Sequence, residues 1–418
     1  MTERYRLRAI GPHEFESFAD VATQAFNDTE WSDEAREHEL MVFEFDRSLA
    51  AFDGDAIVGT AAAYSFRLTV PGGAADAAGV TFVAVSPGHR RRGILSSLMR
   101  QQLADITARG EAIAALFASE SAIYGRYGYG CATGQLRLEI RRGEGALRQD
   151  ARGAGAGHGP VRLRTGRPED VTADLVAVYD RVVPGWPGMI ARDERWWRSR
   201  LFDPPSFRRG MTQLRALVAQ DDRGPRGYAL YRVKPDWSDD GLPCGTLIVR
   251  EIVSADAAAT AALWRDLLSR DLVSQVAAWQ RPVDEPLLEL LADRRRARPQ
   301  LSDGLWVRLT DVPAALTQRS YACPADVVMQ VSDDLLPDNA GRWRLSCPGP
   351  DGKASCERTT APADLELPVA ALGAAYLGGT RLGALAAAGQ VTERSSGALA
   401  RLSAAMYTDR APWCPFIF

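Results

Sequence analysis

Lysine is almost absent from this 418-residue chain: it occurs at Lys234 and Lys353 alone, and arginine supplies the remaining basic side chains. With so much alanine and glycine beside it, this is the pattern of a GC-rich coding sequence rather than a need for guanidinium groups. Charge of one sign is also lacking. The formal net charge of -3 excludes a general nucleic-acid binder, which carries a strong basic excess. Cysteine stands at 131, 244, 323, 347, 356 and 414, never as C-x-x-C, and His13, His38, His89 and His158 do not cluster with it. That excludes a structural zinc site and a disulfide framework, and free buried thiols in a reducing compartment are expected. Only Cys347 and Cys356 are close enough in sequence to close a short loop.

Long apolar runs are missing too. No stretch approaches the roughly 20 residues that span a bilayer. Residues 1–10 are polar, with Arg4, Arg6 and Arg8 ahead of any apolar run, unlike a signal peptide. The expectation is a cytoplasmic protein. Its hydrophobic content of 46% suffices for large cores, and its length implies about two to four domains.

The order of elements is mixed α/β. Residues 5–10, 49–52, 56–66, 78–85 and 112–117 read as strands, with the turn Asp53-Gly54-Asp55 between the second and third. Residues 11–25 read as a helix. Ile94, Leu95, Leu98, Leu103 and Ile106 give helical spacing to residues 93–108. A glycine-rich charged stretch, residues 141–160, reads as a mobile linker. A second unit then repeats the order: a strand at 161–164, a helix from Pro168, strands at 214–218, 226–233 and 246–253, and a helix at 255–272. Val85-Ser86 closes a strand in the first unit and Val253-Ser254 the matching strand in the second. The second has no counterpart to the arginines before Gly93, so it reads as a degenerate repeat. A third segment begins near Leu305, with strands at 305–309 and 326–331 and short helices at 368–375 and 380–388.

The most informative run is Val80-Thr81-Phe82-Val83-Ala84-Val85-Ser86-Pro87-Gly88-His89-Arg90-Arg91-Arg92-Gly93-Ile94-Leu95. A buried strand ends, a basic turn follows, and a glycine opens an amphipathic helix. The first N–H groups of a helix have no partner within it, and its dipole puts partial positive charge there. Arginines at that end are unfavourable unless an anion joins them, so the pattern points to a phosphate ligand. A basic helix start on a solvated surface would look similar.

Arg90-Arg91-Arg92-Gly93-Ile94-Leu95 resembles the R-x-x-G-x-G/A acetyl-coenzyme A loop of the GNAT acetyltransferase superfamily. Leu95, in place of the usual small residue, is expected in one subgroup, the enhanced intracellular survival (Eis) family. Ala118-Ser119-Glu120-Ser121-Ala122-Ile123-Tyr124-Gly125-Arg126-Tyr127-Gly128-Tyr129-Gly130 looks like that family's ASE…IYGRFGYG stretch, with Tyr127 replacing phenylalanine. Asp180-Arg181, Arg195-Trp196-Trp197 and Tyr376-Leu377-Gly378-Gly379 look like further landmarks. The resemblance covers the whole chain. It implies tandem GNAT folds followed by a sterol carrier protein-like α/β domain, over 1–150, 151–300 and 301–418, the central domain lacking a cofactor loop. It also implies a homo-hexamer of two stacked trimers.

The same resemblance implies an acetyl-coenzyme A-dependent N-acetyltransferase in which a primary amine attacks the thioester directly. Arg90, Arg91, Arg92 and Gly93 would hold the pyrophosphate, and Val83 and Val85 the pantetheine, with Ile94 and Ser119 also at the cofactor. Tyr124 would be the general acid. A phenol with a pKa near 10 keeps its proton at neutral pH and can give it to a departing thiolate; a packed aromatic bonded to a backbone carbonyl would show the same residues. Tyr127 and Tyr129 read as packing residues.

For the base, Glu120 is available, but the apolar end Trp413-Cys414-Pro415-Phe416-Ile417-Phe418 offers another candidate. In the Eis family the terminal carboxylate enters the N-terminal active site as base, which here is Phe418. Simple hydrophobic docking is the alternative. Asp28 and Trp31, within the acidic run at residues 27–39, would face the acceptor together with Phe82, though the run could equally be a solvated helix face. The family acetylates aminoglycosides at several amines, and some members acetylate protein or peptide lysines. Ile417 stands where an acidic residue would help hold an aminoglycoside. A non-catalytic lipid-binding protein is the reading from another class.

Overall fold

The computed structural model describes residues 5–148, 160–350 and 352–418. The chain forms two compact units, the first from residues up to Thr133 with Leu305–Pro412 and Phe418, the second from Gly134–Gly304 with Trp413–Ile417.

The first sheet begins with β1 (Arg6–Arg8), β2 (Ser48–Asp53), β3 (Ala56–Val70) and β4 (Gly73–Val85), all antiparallel neighbours. β5 (Ile113–Phe117) then runs parallel to β4. Small residues on β3 let helices approach both faces. Ala61 meets Ile94 and Leu98 of the helix α3 (Ile94–Ala108), while Ala62 meets Phe15 and Phe18 of α1 (Phe15–Phe26). A side chain at Gly59 would bring its Cβ to 2.6 Å from Ile94, so glycine there permits the close approach of α3. A further helix, α2 (Asp33–Leu40), is capped by Ser32, whose hydroxyl accepts from the Ala35 N–H at 3.2 Å.

This sheet is completed by a distant part of the chain. β14 (Leu305–Leu309) lies antiparallel between β5 and β6 (Gly130–Cys131). Reading residues 301–418 as a separate third domain left this strand out of the first sheet. It is drawn in because five apolar-rich residues can cover the open edge of β5. The rest of the third segment forms a five-stranded sheet from β15 (Ala325–Ser332), β16 (Gly341–Cys347), β17 (Ser355–Arg358), β18 (Leu365–Pro368) and β19 (Thr392–Glu393), ordered β17-β16-β15-β18-β19. Cys347 and Cys356 lie here as free, buried thiols and close no loop.

The second unit carries β7 (Gly134–Arg141), β8 (Arg162–Gly166), β9 (Arg215–Asp221), β10 (Gly224–Lys234), β11 (Gly245–Ser254), β12 (Val273–Arg281) and β13 (Gln300–Asp303), ordered β13-β7-β12-β11-β10-β9-β8. Residues 134–141, expected with the first domain, therefore pair in the second sheet. Residues 149–159 of the expected linker lie outside the described residues. No helix among the described residues is long and apolar enough to cross a membrane.

The second core encloses charge. Arg192 makes a bidentate pair with Glu251 at 2.9 and 2.7 Å, Arg200 reaches the same carboxylate at 3.1 Å, and the Tyr228 hydroxyl donates to it at 2.5 Å. Burial alone would raise the Glu251 carboxyl, but Arg192 and Arg200 outweigh it and hold it at about 2. A carboxyl depressed from its ordinary 4.5 gives stability that is complete above that pH and drains away as pH falls toward 2. Glu251→Gln is therefore expected to flatten the acid fall in the thermal midpoint. At neutral pH it should cost about 3–5 kcal/mol, because Arg192 is left buried without a countercharge. An unchanged acid profile in the variant would contradict this account.

Candidate active site

β4 and β5 are joined for only part of their length. They pair at Ala77↔Ile113, Ala78↔Ala114 and Gly79↔Ala115, and beyond Gly79 β4 continues to Val85 without β5 beside it. The parting coincides with a bulge. The β3–β4 register shifts between Thr60 and Ala62, Phe82 takes a left-handed φ of 52°, and its carbonyl accepts from the Thr60 hydroxyl at 2.7 Å. Val83 and Val85, on the unpaired stretch, are partly buried and pack with Ile94 and Leu98.

The basic turn leads from the end of β4 into α3. His89 Nε2 lies 3.3 Å from Asp53 Oδ2, tying the turn to the β2–β3 hairpin. Arg90, Arg91 and Arg92 are exposed, and among the described residues none of them is in an ion pair. Gly93 is the N-cap with φ 85°, a conformation that strains any other residue, and a Cβ there would meet nothing within 4 Å. The helix start has no side-chain cap and no acidic residue in its first turn. This is an open, positively charged cradle lined by backbone, which fits a pyrophosphate. Ile94 is buried and fixes the helix to the sheet.

Tyr124 ends a short helical turn, α4 (Ser121–Tyr124), just after β5. It is buried and packs with Val83, Leu95, Tyr127 and Tyr129. Burial raises its pKa, a hydrogen bond with Ser119 opposes the rise, and the nearby Glu120 charge adds to it. Tyr127 meets the Ser96 hydroxyl at 3.2 Å, on the first turn of α3, in keeping with a packing role.

The chain terminus reaches this unit. The Phe418 ring makes edge contacts with Phe66 of β3 (centroids 4.7 Å apart) and with Phe117, the last residue of β5 (5.5 Å). Phe66 itself needs Gly79, since a Cβ at Gly79 would overlap its ring. Sequence reasoning missed both phenylalanines. The alternation along β3, with Tyr64 and Phe66 on one face, was the available signal.

The three expected acceptor residues divide. Trp31 and Phe82 meet at 5.9 Å, within a cluster that includes Phe15, Phe18 and Phe43. Asp28 is exposed just past α1, and its Oδ1 accepts from the Thr29 N–H at 2.8 Å. A carboxylate absent from the expected set, Glu39 on α2, accepts from the buried Tyr64 hydroxyl at 3.3 Å.

Models of a GNAT acetyltransferase domain match residues 6–132 and 188–309, and a sterol carrier protein domain model matches residues 312–415. An uncharacterized N-acetyltransferase of Streptomyces coelicolor is 47% identical over 418 residues, covering 98% of this chain and 99% of the relative. The N-acetyltransferase Eis of Mycobacterium bovis is 38% identical over 361 residues, 85% of this chain and 84% of the relative. The crystal structure of Eis1 from Mycobacterium abscessus superposes with a TM-score of 0.82 at 34% identity, over 99% of this chain and 100% of that one. The fold and these relatives define an N-acetyltransferase of the GNAT class, with two GNAT domains ahead of a sterol carrier protein-like domain. Within that class the chain belongs to the Eis family. GNAT acetyltransferases draw their acetyl group from acetyl-coenzyme A.

Gly79→Ala tests the seat of the terminal residue. Overlap with Phe66 should lower stability by about 1–3 kcal/mol and shift the ring on which Phe418 rests. Chemical denaturation measures the first effect; an unchanged midpoint would show that Phe66 can move freely.

Proposed function

We propose that this chain moves an acetyl group from acetyl-coenzyme A to the primary amines of a polycationic acceptor, an aminoglycoside or similar polyamine. The observation that carries the reading is the seat of Phe418: the last residue of the chain packs on Phe66 and on Phe117, where β5 ends beside the unpaired stretch of β4. An α-carboxylate carried there can accept the proton that an ammonium must lose before it attacks. As the C–N bond forms and the C–S bond breaks, the buried Tyr124 hydroxyl gives its proton to the departing sulfur. Arg90, Arg91, Arg92 and the α3 N-terminus, opened by Gly93 and begun by Ile94, hold the pyrophosphate, and Val83 and Val85 line the path of the pantetheine. Ser119 orients Tyr124. Trp31 and Phe82 offer an aromatic wall to the acceptor, and Asp28 adds negative charge at its rim. The family resemblance extends the reading to a cytoplasmic hexamer, which light scattering would test.

Release of free coenzyme A against a panel of aminoglycosides, small amines and a lysine peptide tests the class of acceptor. Kanamycin-like amines should react faster than the peptide; the reverse order would make protein lysines the acceptor. Tyr124→Phe, and separately a chain ending at Ile417, should each lower kcat by about 100-fold or more with acetyl-coenzyme A binding preserved. Wild-type turnover in either variant would remove that group from the mechanism. Because burial raises Tyr124 above its ordinary 10.0, the alkaline fall in kcat should lie above pH 10. A fall centred well below that pH would assign the acid to another group.

A further inference from the structure

The run that carries Tyr124 is held from behind by the third segment of the chain. Arg308, on β14, is fully buried and grips Asp333 with two bonds from Nη2, at 2.8 and 2.7 Å. Asp333 also accepts from Asn339 Nδ2 at 3.0 Å and from the backbone N–H groups of Leu335 and Leu336 at 3.1 Å. The carboxylate is therefore immobile, and so is the guanidinium on it. Against that guanidinium lies Gly128, at a φ of 81°. A Cβ there would stand 2.7 Å from Arg308 Nε and 2.8 Å from its Cζ. Two bonds then carry the position of Gly128 back to the tyrosine. Its own N–H donates to the Gly125 carbonyl at 3.1 Å, and the next N–H, of Tyr129, donates to the carbonyl of Tyr124 at 3.3 Å. The Tyr129 ring completes the link with an edge contact to Tyr124 at 6.1 Å. Arg308 Nε and the Tyr129 hydroxyl are both buried without a hydrogen-bond partner, at the centre of the arrangement.

We propose that Arg308 and Asp333 are positioning residues for acetyl transfer: the buried ion pair sets the turn that aims the Tyr124 hydroxyl, and so makes the sterol carrier protein-like segment a working part of the N-terminal active site. The inference rests on the reading of Tyr124 as the acid.

A double-mutant cycle in the full-length protein tests it, with kcat as the readout and acetyl-coenzyme A titration as the control for folding. Arg308→Lys keeps the charge but loses the guanidinium plane that lies against Gly128 and the Nη1 bond to the Leu309 carbonyl. It should lower kcat about tenfold or more, while the dissociation constant for acetyl-coenzyme A stays within about twofold. Tyr124→Phe added to that variant should cost far less than it costs the wild type, because both changes disable one proton transfer. Independent losses in the cycle, or wild-type kcat in Arg308→Lys, would overturn the inference while leaving Tyr124 as the acid. If Tyr124→Phe alone is neutral, the acid assignment falls and the inference with it. Should Arg308→Lys fail to bind acetyl-coenzyme A, Asp333→Asn runs through the same cycle with the same expected outcomes.

Discussion

The site depends on hydrogen bonds that two neighbouring strands do not make. β4 and β5 stop pairing after Gly79 and Ala115, and the remaining length of β4 is partly buried with one edge unpaired. Backbone polar groups in such a place need a partner, and an extended ligand running along the edge can supply it. The second sheet begins the same way. β11 and β12 pair from Gly245↔Val273 to Val249↔Ala278 and then separate. There, the protein fills the gap itself. Arg281 donates to the Ile252 carbonyl at 3.0 Å, Trp413 Nε1 donates to the Gln280 carbonyl at 2.5 Å, and the Arg281 guanidinium stacks on the Trp413 ring. One architecture thus leaves its notch open in the first unit and plugs it in the second.

The helices beside the two notches divide in the same sense. The helix Ala257–Leu268 is capped by Asp256, which accepts from the Ala259 N–H at 3.0 Å and is held by two bonds from Arg226. Its positive end is neutralised by a carboxylate of the chain. α3 has neither cap nor acid and is preceded by Arg90, Arg91 and Arg92. Each cation near a helix N-terminus is unfavourable by about 0.3–1 kcal/mol, so the second arrangement suits a site for a phosphate anion and the first does not.

Local signals made most of the elements legible. The strands of the first sheet and the helix α3 could be read from apolar runs and spacing because each is decided by its own residues. Pairing partners could not. Nothing within Leu305–Leu309 tells which sheet will take it, since the decision lies in the open edge of β5 far away in sequence. β7 is different: Leu136, Leu138 and Ile140 alternate cleanly toward the core, and the signal was there but obscured by the glycine-rich stretch that follows. At the site, the basic turn and the tyrosine stand out in the sequence as candidates by their chemistry. The rings that seat Phe418 do not, because Phe66 and Phe117 look like any strand residue until the chain end packs on them.

The glycines after Tyr124 show why a motif can be read correctly and explained incompletely. Two of them answer to the protein behind the site. Gly128 makes room for the Arg308 guanidinium. At Gly130, a Cβ would overlap the Ala370 carbonyl of the helix Val369–Ala375, and on that helix Gly373 must be bare for the Val307 carbonyl of β14. Backbone therefore meets backbone where this helix packs on β6 and β14, and any added methyl would force the layers apart. A turn clamped in this way cannot drift as the third segment changes. The geometry of the tyrosine and the packing of the sterol carrier protein-like domain form one constraint, and substitutions that loosen the second act on the first.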